Sequence, residues 1–397
     1  MTIELVESTR RQWEEAHEPR WIGYNPPVSM IELEKAMPER RIELYAIQTC
    51  LRPGTYQSPA AFAAHLSGIC EAVNELRSRT RQGLPRSPAL VVFPEDIGTF
   101  LLLAPHFKSI QGVSSFADAL KILERRRLPE VLWLKARHKV SSAEALLLLY
   151  SRFSYETYFK TFSTLALRHR LVVVGGSIRV PDNRFGTTET FERMPKAPRI
   201  YNLSLTFNTR GEVIHVGRLA QAPGMDDPIS GPLLSSHRPS IYEVGGIRVG
   251  SALDLPSNPP SILPREEKST PPRENDTATK DKRIEPEIVA CPHDPASILN
   301  GRAPAPIPNP AKVLPFNRRS KGLLKVLEAN PNLRFGINPA LSGDLFDLHF
   351  SGGSIIVGRS EGGAPIILEQ SSAKTLEEGD RILKVEAALP AHAPSPP

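Results

Sequence analysis

Residues 42–49, IELYAIQT, with PAAFAAHLSGICEAVNELRSRT at 59–80 and ALVVFPE at 89–95, decide the fold class of this chain. The first segment alternates apolar and polar side chains as a strand does. The second repeats apolar residues at helical spacing, and the third is a continuous apolar run of the buried-strand type. Together they predict a β-α-β unit and place the chain in the α/β class.

Working outward, residues 105–170 are mostly helical, and the last helix, YETYFKTFSTLALRHR at 155–170, runs into a strand, LVVVGGSI at 171–178. The pattern then turns strand-rich through IYNLSLTFNTRGEVIHVG at 200–217, with a turn at Thr209 to Gly211. VGGIRVGSALDLP at 244–256 reads as a glycine-spaced strand entering a tight bend. SKGLLKVLEANP at 320–331 predicts a helix, and LRFGINPA, DLFDLHFS, GSIIVGRS, PIILEQS and RILKVEAAL predict strands after it. Gly175 and Gly176, and Gly352 and Gly353, fall where backbone must bend or pass closely, which a residue without Cβ permits.

Composition sets the boundaries. The chain has 397 residues, 40% hydrophobic and 23% charged, so most of it should fold, and a single large domain over 41–390 is the expected unit. Its 39 prolines are roughly twice the usual share of about 5% and mark loops and linkers. Residues 1–40 read as a charged N-terminal extension, and 391–397 as a free tail. Residues 256–286 are crowded with proline and charge and almost without large apolar side chains, so they read as a disordered insertion. GRAPAPIPNPAKVLP at 301–315 reads as a loop.

A net charge of +6 is small for this length, and basic clusters such as Arg125 to Arg127 lack interleaved aromatic residues, which argues against nucleic acid as a partner. The three cysteines, Cys50, Cys70 and Cys291, are too few and scattered for a disulfide framework or a zinc site, and suggest a reducing compartment. No apolar run approaches the roughly 20 residues of a membrane span. A soluble cytoplasmic protein is therefore expected. No phosphate loop and no dinucleotide fingerprint occur, so no cofactor is expected.

The ordered series VVFPED at 91–96, LVVVGGSI, YNLSLTFNTRGEV at 201–213, GGIRVGSALDLP and FSGGSIIV at 350–357 resembles the nitrilase, or carbon–nitrogen hydrolase, superfamily over roughly residues 41–388. The resemblance implies a four-layer α-β-β-α sandwich, a homodimer paired through helices, and a site for a small amide- or carboxylate-like ligand. It also implies a Glu-Lys-Cys triad with a second carboxylate nearby. In such a triad a thiolate attacks the amide or nitrile carbon, a carboxylate acts as general base, and an ammonium steadies the developing oxyanion.

Three of those four positions depart from the pattern. Glu95, in FPED, matches the family's glutamate. In GEVIHVGRLAQAP, Arg218 stands where the lysine is expected, and a planar guanidinium does not reproduce an ammonium's point charge. Asp226, eight residues on, stands where some relatives carry the second glutamate. The cysteine position falls on Asp254 by one anchoring and on Ala252 by another, and neither supplies a thiol. Ser251 alternates to the face opposite both. Cys291, after the insertion, reads as a small buried residue, and His293 as a loop histidine. The expected function is therefore an inactive or strongly altered homologue that binds a small molecule or a protein. The alternatives are a hydrolase working through Asp254 or Glu95 without cysteine, and a scaffold that recruits partners through the 256–286 insertion.

Overall fold

The computed structural model describes residues 39–181, 200–221, 233–234, 241–251, 286–291, 317–371 and 379–390. The 1–40 extension as far as residue 38, the 256–286 insertion up to residue 285, the 301–315 segment and the 391–397 tail lie outside the described residues.

The first unit is as expected. β1 (Glu39–Leu51) leads through α1 (Pro59–Leu76) to β2 (Ala89–Val92), which pairs with β1 in parallel. Ser58 caps α1 by accepting from the Ala61 N–H, and Pro59 follows at the first helical position, where its missing N–H costs nothing. After a short helical turn at Phe107–Ile110 come three longer helices, α2 (Phe116–Arg126), α3 (Leu128–His138) and α4 (Ser142–His169). The last opens with a capping box between Ser141 and Glu144.

β3 (Val172–Val174), β4 (Ile178–Pro181), β5 (Ile200–Phe207), β6 (Val213–Gln221) and β7 (Leu233–Leu234) extend the first sheet. After them come β8 (Ile241–Val244), β9 (Ile247–Ser251), β10 (Ile288–Ala290) and α5 (Asn317–Ala329). The chain closes with β11 (Phe335–Asn338), β12 (Leu341–Leu345), β13 (Leu348–Ser351), β14 (Ile355–Arg359), β15 (Pro365–Gln370) and β16 (Arg381–Pro390).

One sheet runs β13-β12-β1-β2-β3-β5-β6-β7, with β16 also on β1 and β4 also on β5; the other runs β15-β14-β11-β10-β9-β8. Strand parity assigns the layers. Ile42, Leu44, Ala46, Leu90, Val92 and Val174 face Val249, Ile288, Ala290 and Ile337 of the second sheet. The opposite parity, Tyr45, Ile47, Val91 and Phe93, packs on Phe62 and Leu66 of α1 and on Tyr158 and Phe162 of α4. Val289, Cys291, Ile355 and Val357 turn the other way, onto Leu323, Val326 and Leu327 of α5. The four-layer α-β-β-α sandwich is thus present.

Three strand expectations need correction. LVVVGGSI is two strands, β3 ending at Val174 and β4 beginning at Ile178, while the Gly175 N–H still donates to the Leu205 carbonyl of β5 at 2.9 Å. VGG is not strand at its glycines: Gly245 and Gly246, with φ of +56° and +73°, form the two-residue turn of the β8–β9 hairpin. DLFDLHFS spans the end of β12, a turn at Phe346 and Asp347, and β13. The alternation in β1 also carries a different meaning, because both faces are buried. Its polar positions are filled by partners: Glu43 meets Arg77 Nε at 3.2 Å, Lys384 Nζ at 3.0 Å and the Ser78 N–H at 2.7 Å, while Gln48 accepts from the Gly353 N–H at 2.7 Å and Ser371 Oγ at 2.6 Å.

The register between the sheets is fixed at several points. The guanidinium of Arg40 on β1 holds both oxygens of Glu287, before β10, at 2.6 and 3.0 Å. The Gly245 turn lies against Pro88, at the start of β2, and β11 lies against β1. Tyr242 of β8 stacks on His215 of β6, with ring centroids 5.0 Å apart, and His215 is across from Thr206 on β5. β8 therefore lies over β5 and β6, and β9 over the strands between those and β1. β9 follows the turn that lies against Pro88, at the beginning of β2.

Candidate functional site

Glu95 follows Phe93 and Pro94 off the carboxyl end of β2 and is only 4% exposed. Its Oε1 accepts from Nδ2 of Asn202, which β5 carries on the face turned to the second sheet. The reason is parity: Leu203, Leu205 and Phe207 face the helices, so Asn202, Ser204 and Thr206 face inward.

The next residue holds the turn. Asp96 adopts φ +58°, a left-handed conformation that aspartate tolerates better than most residues. Its N–H donates to Ser177 Oγ at 2.8 Å, and its Oδ1 accepts from Thr99 Oγ1 at 2.7 Å. Arg179 donates from Nε to Oδ1 at 2.8 Å and from Nη2 to Oδ2 at 3.0 Å, a forked pair buried on both sides. The Arg179 N–H in turn donates to Thr99 Oγ1 at 3.0 Å, and Arg179 is across from Asn202 in the β4–β5 register. One cluster thus fixes the Glu95 backbone and the strand that carries its partner.

Three polar atoms at this end of the sandwich stay buried with no partner among the described residues: Asn202 Oδ1, Ser204 Oγ and Ser251 Oγ. Ser251 shares its face of β9 with Ile247 and Val249, which look toward the first sheet. In the fold Ser251 faces inward, toward the first sheet.

Arg218 is exposed, and its register partner is Leu203, on the helix-facing side. Leu203 neighbours Asn202 on β5, the strand that carries the Glu95 partner. Asp226, Ala252, Asp254 and His293 lie outside the described residues. The three cysteines are placed elsewhere. Cys70 is on α1 in the helix layer, where burial pushes its thiol up to about 12. Cys291 faces α5. The Cys50 sulfur lies against Gly343 of β12, with β2 and β3 standing between β1 and β5. All three are buried, and none is in a disulfide. Among the described residues no cluster of histidine, cysteine and carboxylate would hold a metal, and no helix is long and apolar enough to cross a membrane.

Sequence reasoning missed Asn202, Ser204, Arg179 and Ser251. One signal was available: in YNLSLTF the polar residues 202, 204 and 206 alternate with leucines in a strand otherwise fit for burial.

The fold and site define a class, a four-layer sandwich with a buried carboxylate at the carboxyl end of a central strand. No family model matches the chain, and no curated protein matches it. Solved structures similar to it include Nit3 of Saccharomyces cerevisiae, a member of branch 10 of the nitrilase superfamily, at 15% identity and TM-score 0.45, covering 87% of this chain and 90% of that one. A double mutant of the amidase from Nesterenkonia sp. AN1, in complex with acrylamide, is 14% identical with TM-score 0.42, covering 92% and 93%. Another mutant of that amidase shows covalent addition of the acetamide moiety of fluoroacetamide at its active-site cysteine; it is 14% identical with TM-score 0.40, covering 88% and 90%. At these identities no residue role passes to this chain.

Proposed function

We propose that this chain is a carbon–nitrogen hydrolase-like protein that binds a small amide- or carboxylate-like ligand at Glu95 without thiol chemistry. The observation that carries the reading is the pairing of a buried carboxylate with Asn202 while Cys50, Cys70 and Cys291 are each committed elsewhere. A covalent mechanism whose members act as a unit loses most of its rate with its nucleophile. Ligand recognition needs only the retained polar groups and a dry site. The experiment is calorimetric titration of the full chain with a panel of small amides, nitriles and carboxylates, repeated with Glu95→Gln. The reading expects saturable binding to wild type, weakened at least about tenfold in the variant, roughly 1.4 kcal/mol. No binding by wild type across the panel contradicts it.

Three buried cysteines outside any disulfide suit the expected reducing, cytoplasmic setting. Leu128, Leu132 and Trp133, exposed on α3, offer an apolar face for the expected homodimer. Light scattering that gives a monomer mass for wild type would contradict that part.

A further inference from the structure

We infer that the corner where α2 meets α3 is a binding site for a phosphate group, built from Arg126, His106, the Tyr150 hydroxyl and the first turn of α3. Hydrogen bonds fix that corner. Ser142 Oγ, at the start of α4, donates to Glu124 Oε1 of α2 at 2.7 Å and accepts from Lys135 Nζ of α3 at 2.7 Å. Arg127 joins the two helices, its N–H donating to the Leu123 and Glu124 carbonyls of α2 and its carbonyl accepting from the Val131 N–H of α3. Both helices pack on α4, which carries Tyr150, and the Tyr150 ring meets that of His106 edge to face with centroids 5.9 Å apart. Arg126 and Arg127 act on both rings. Burial and then the two guanidinium charges lower the His106 pKa, and burial raises that of Tyr150 to about 12 against the pull of the same arginines.

The corner is short of acceptors. Tyr150 is 5% exposed and its Oη has no partner among the described residues, a state uncommon for a buried hydroxyl. Among the same residues Arg126 is exposed with no ion pair, and His106 has no hydrogen bond. α3 opens without a side-chain cap, which leaves the positive end of its dipole at the corner. The carboxylates there are already engaged: Arg127 Nε and Nη2 both reach Glu130 Oε1 at 2.9 Å, and Glu124 accepts from Ser142. What completes this set is an anion with oxygens in several directions. A phosphate group takes the forked guanidinium on one side and the hydroxyl, an imidazole N–H and helix N–H groups on the others. A carboxylate, with two oxygens in one plane, reaches fewer of them. None of these residues belongs to the cluster around Glu95.

The test is calorimetric titration of the full chain with inorganic phosphate and with glycerol 3-phosphate at constant ionic strength, for wild type, Arg126→Ala and Tyr150→Phe. Saturable one-to-one binding is expected for wild type, weakened at least about tenfold by Arg126→Ala and about threefold by Tyr150→Phe. Equal affinity for the two probes assigns the site to the free ion, and tighter binding of the ester assigns it to phosphomonoesters; both outcomes support the inference. No saturation by either probe overturns it, as does wild-type affinity in both variants. Glu95→Gln should leave phosphate binding unchanged, and a loss there would place the anion at Glu95 and overturn the inference as well. Tyr150→Phe deletes an unpartnered hydroxyl, so without phosphate it should unfold at or above the wild-type urea midpoint. A lower midpoint marks a hydroxyl already committed to the fold and counts as refutation.

Discussion

Gly176 sits at φ +65°, and a Cβ added there would overlap the carbonyl oxygen of Pro94, one residue before Glu95. Both the conformation and the space demand glycine, so Gly176→Ala should lower stability by at least about 2 kcal/mol. A urea midpoint equal to wild type would contradict that. Arg179 makes the complementary case. Replacing it with leucine leaves the Asp96 carboxylate buried without its forked partner, a loss of about 3–5 kcal/mol expected for a broken buried pair. The same variant should weaken any amide binding at Glu95, because Asp96 fixes the adjoining backbone; intact affinity in a folded variant would separate the two. At this scale Glu95 was legible because FPE after an apolar run is a compact local pattern. Arg179 and Asn202 were not, since their roles arise from a pairing between β4 and β5 that no local pattern records. The inward face of Ser251 follows from the stacking of Ile247 and Val249 of β9 on the first sheet, which the segment alone does not show.

Strands and turns carry the next set of consequences. β6 and β8 meet through His215 and Tyr242, and burial pulls the His215 pKa down to about 4. In the unfolded chain histidine takes up its proton near pH 6.5, so between those values the unfolded state binds more protons. The stability held by neutral His215 is therefore complete above about pH 6.5 and lost as pH falls toward 4, by up to about 3 kcal/mol. His106 and His169 are lowered by burial in the same direction. His215→Phe should flatten part of the fall in urea midpoint between pH 7 and 5, and an unchanged slope would count against the assignment. Most elements were visible in the sequence because hydrophobic period and turn residues act locally, as in α1 and in the β5–β6 hairpin. The break after β3 was not, because the chain bends at Gly175 and Gly176 where Tyr158 and the Pro94 carbonyl, remote in sequence, leave no room for a Cβ. The doubly buried faces of β1 likewise depend on a second sheet that no single segment announces.

Across the whole molecule, two sheets are locked in register by Arg40 and Glu287 at one end and by Gln48 with Gly353 and Ser371 near the other. That frame sets Glu95 at the carboxyl end of β2 with Asn202 as its partner, and places Cys70 among the helices, Cys291 against α5 and Cys50 against Gly343 of β12. The four layers were legible from the order of motifs; which serines face inward was decided by the stacking of sheets. The most direct measurement is intact mass of the native full chain after incubation with fluoroacetamide, a small alkylating amide. Unmodified protein is the predicted result, and a covalent adduct mapped to any native residue at the Glu95 site would contradict the account.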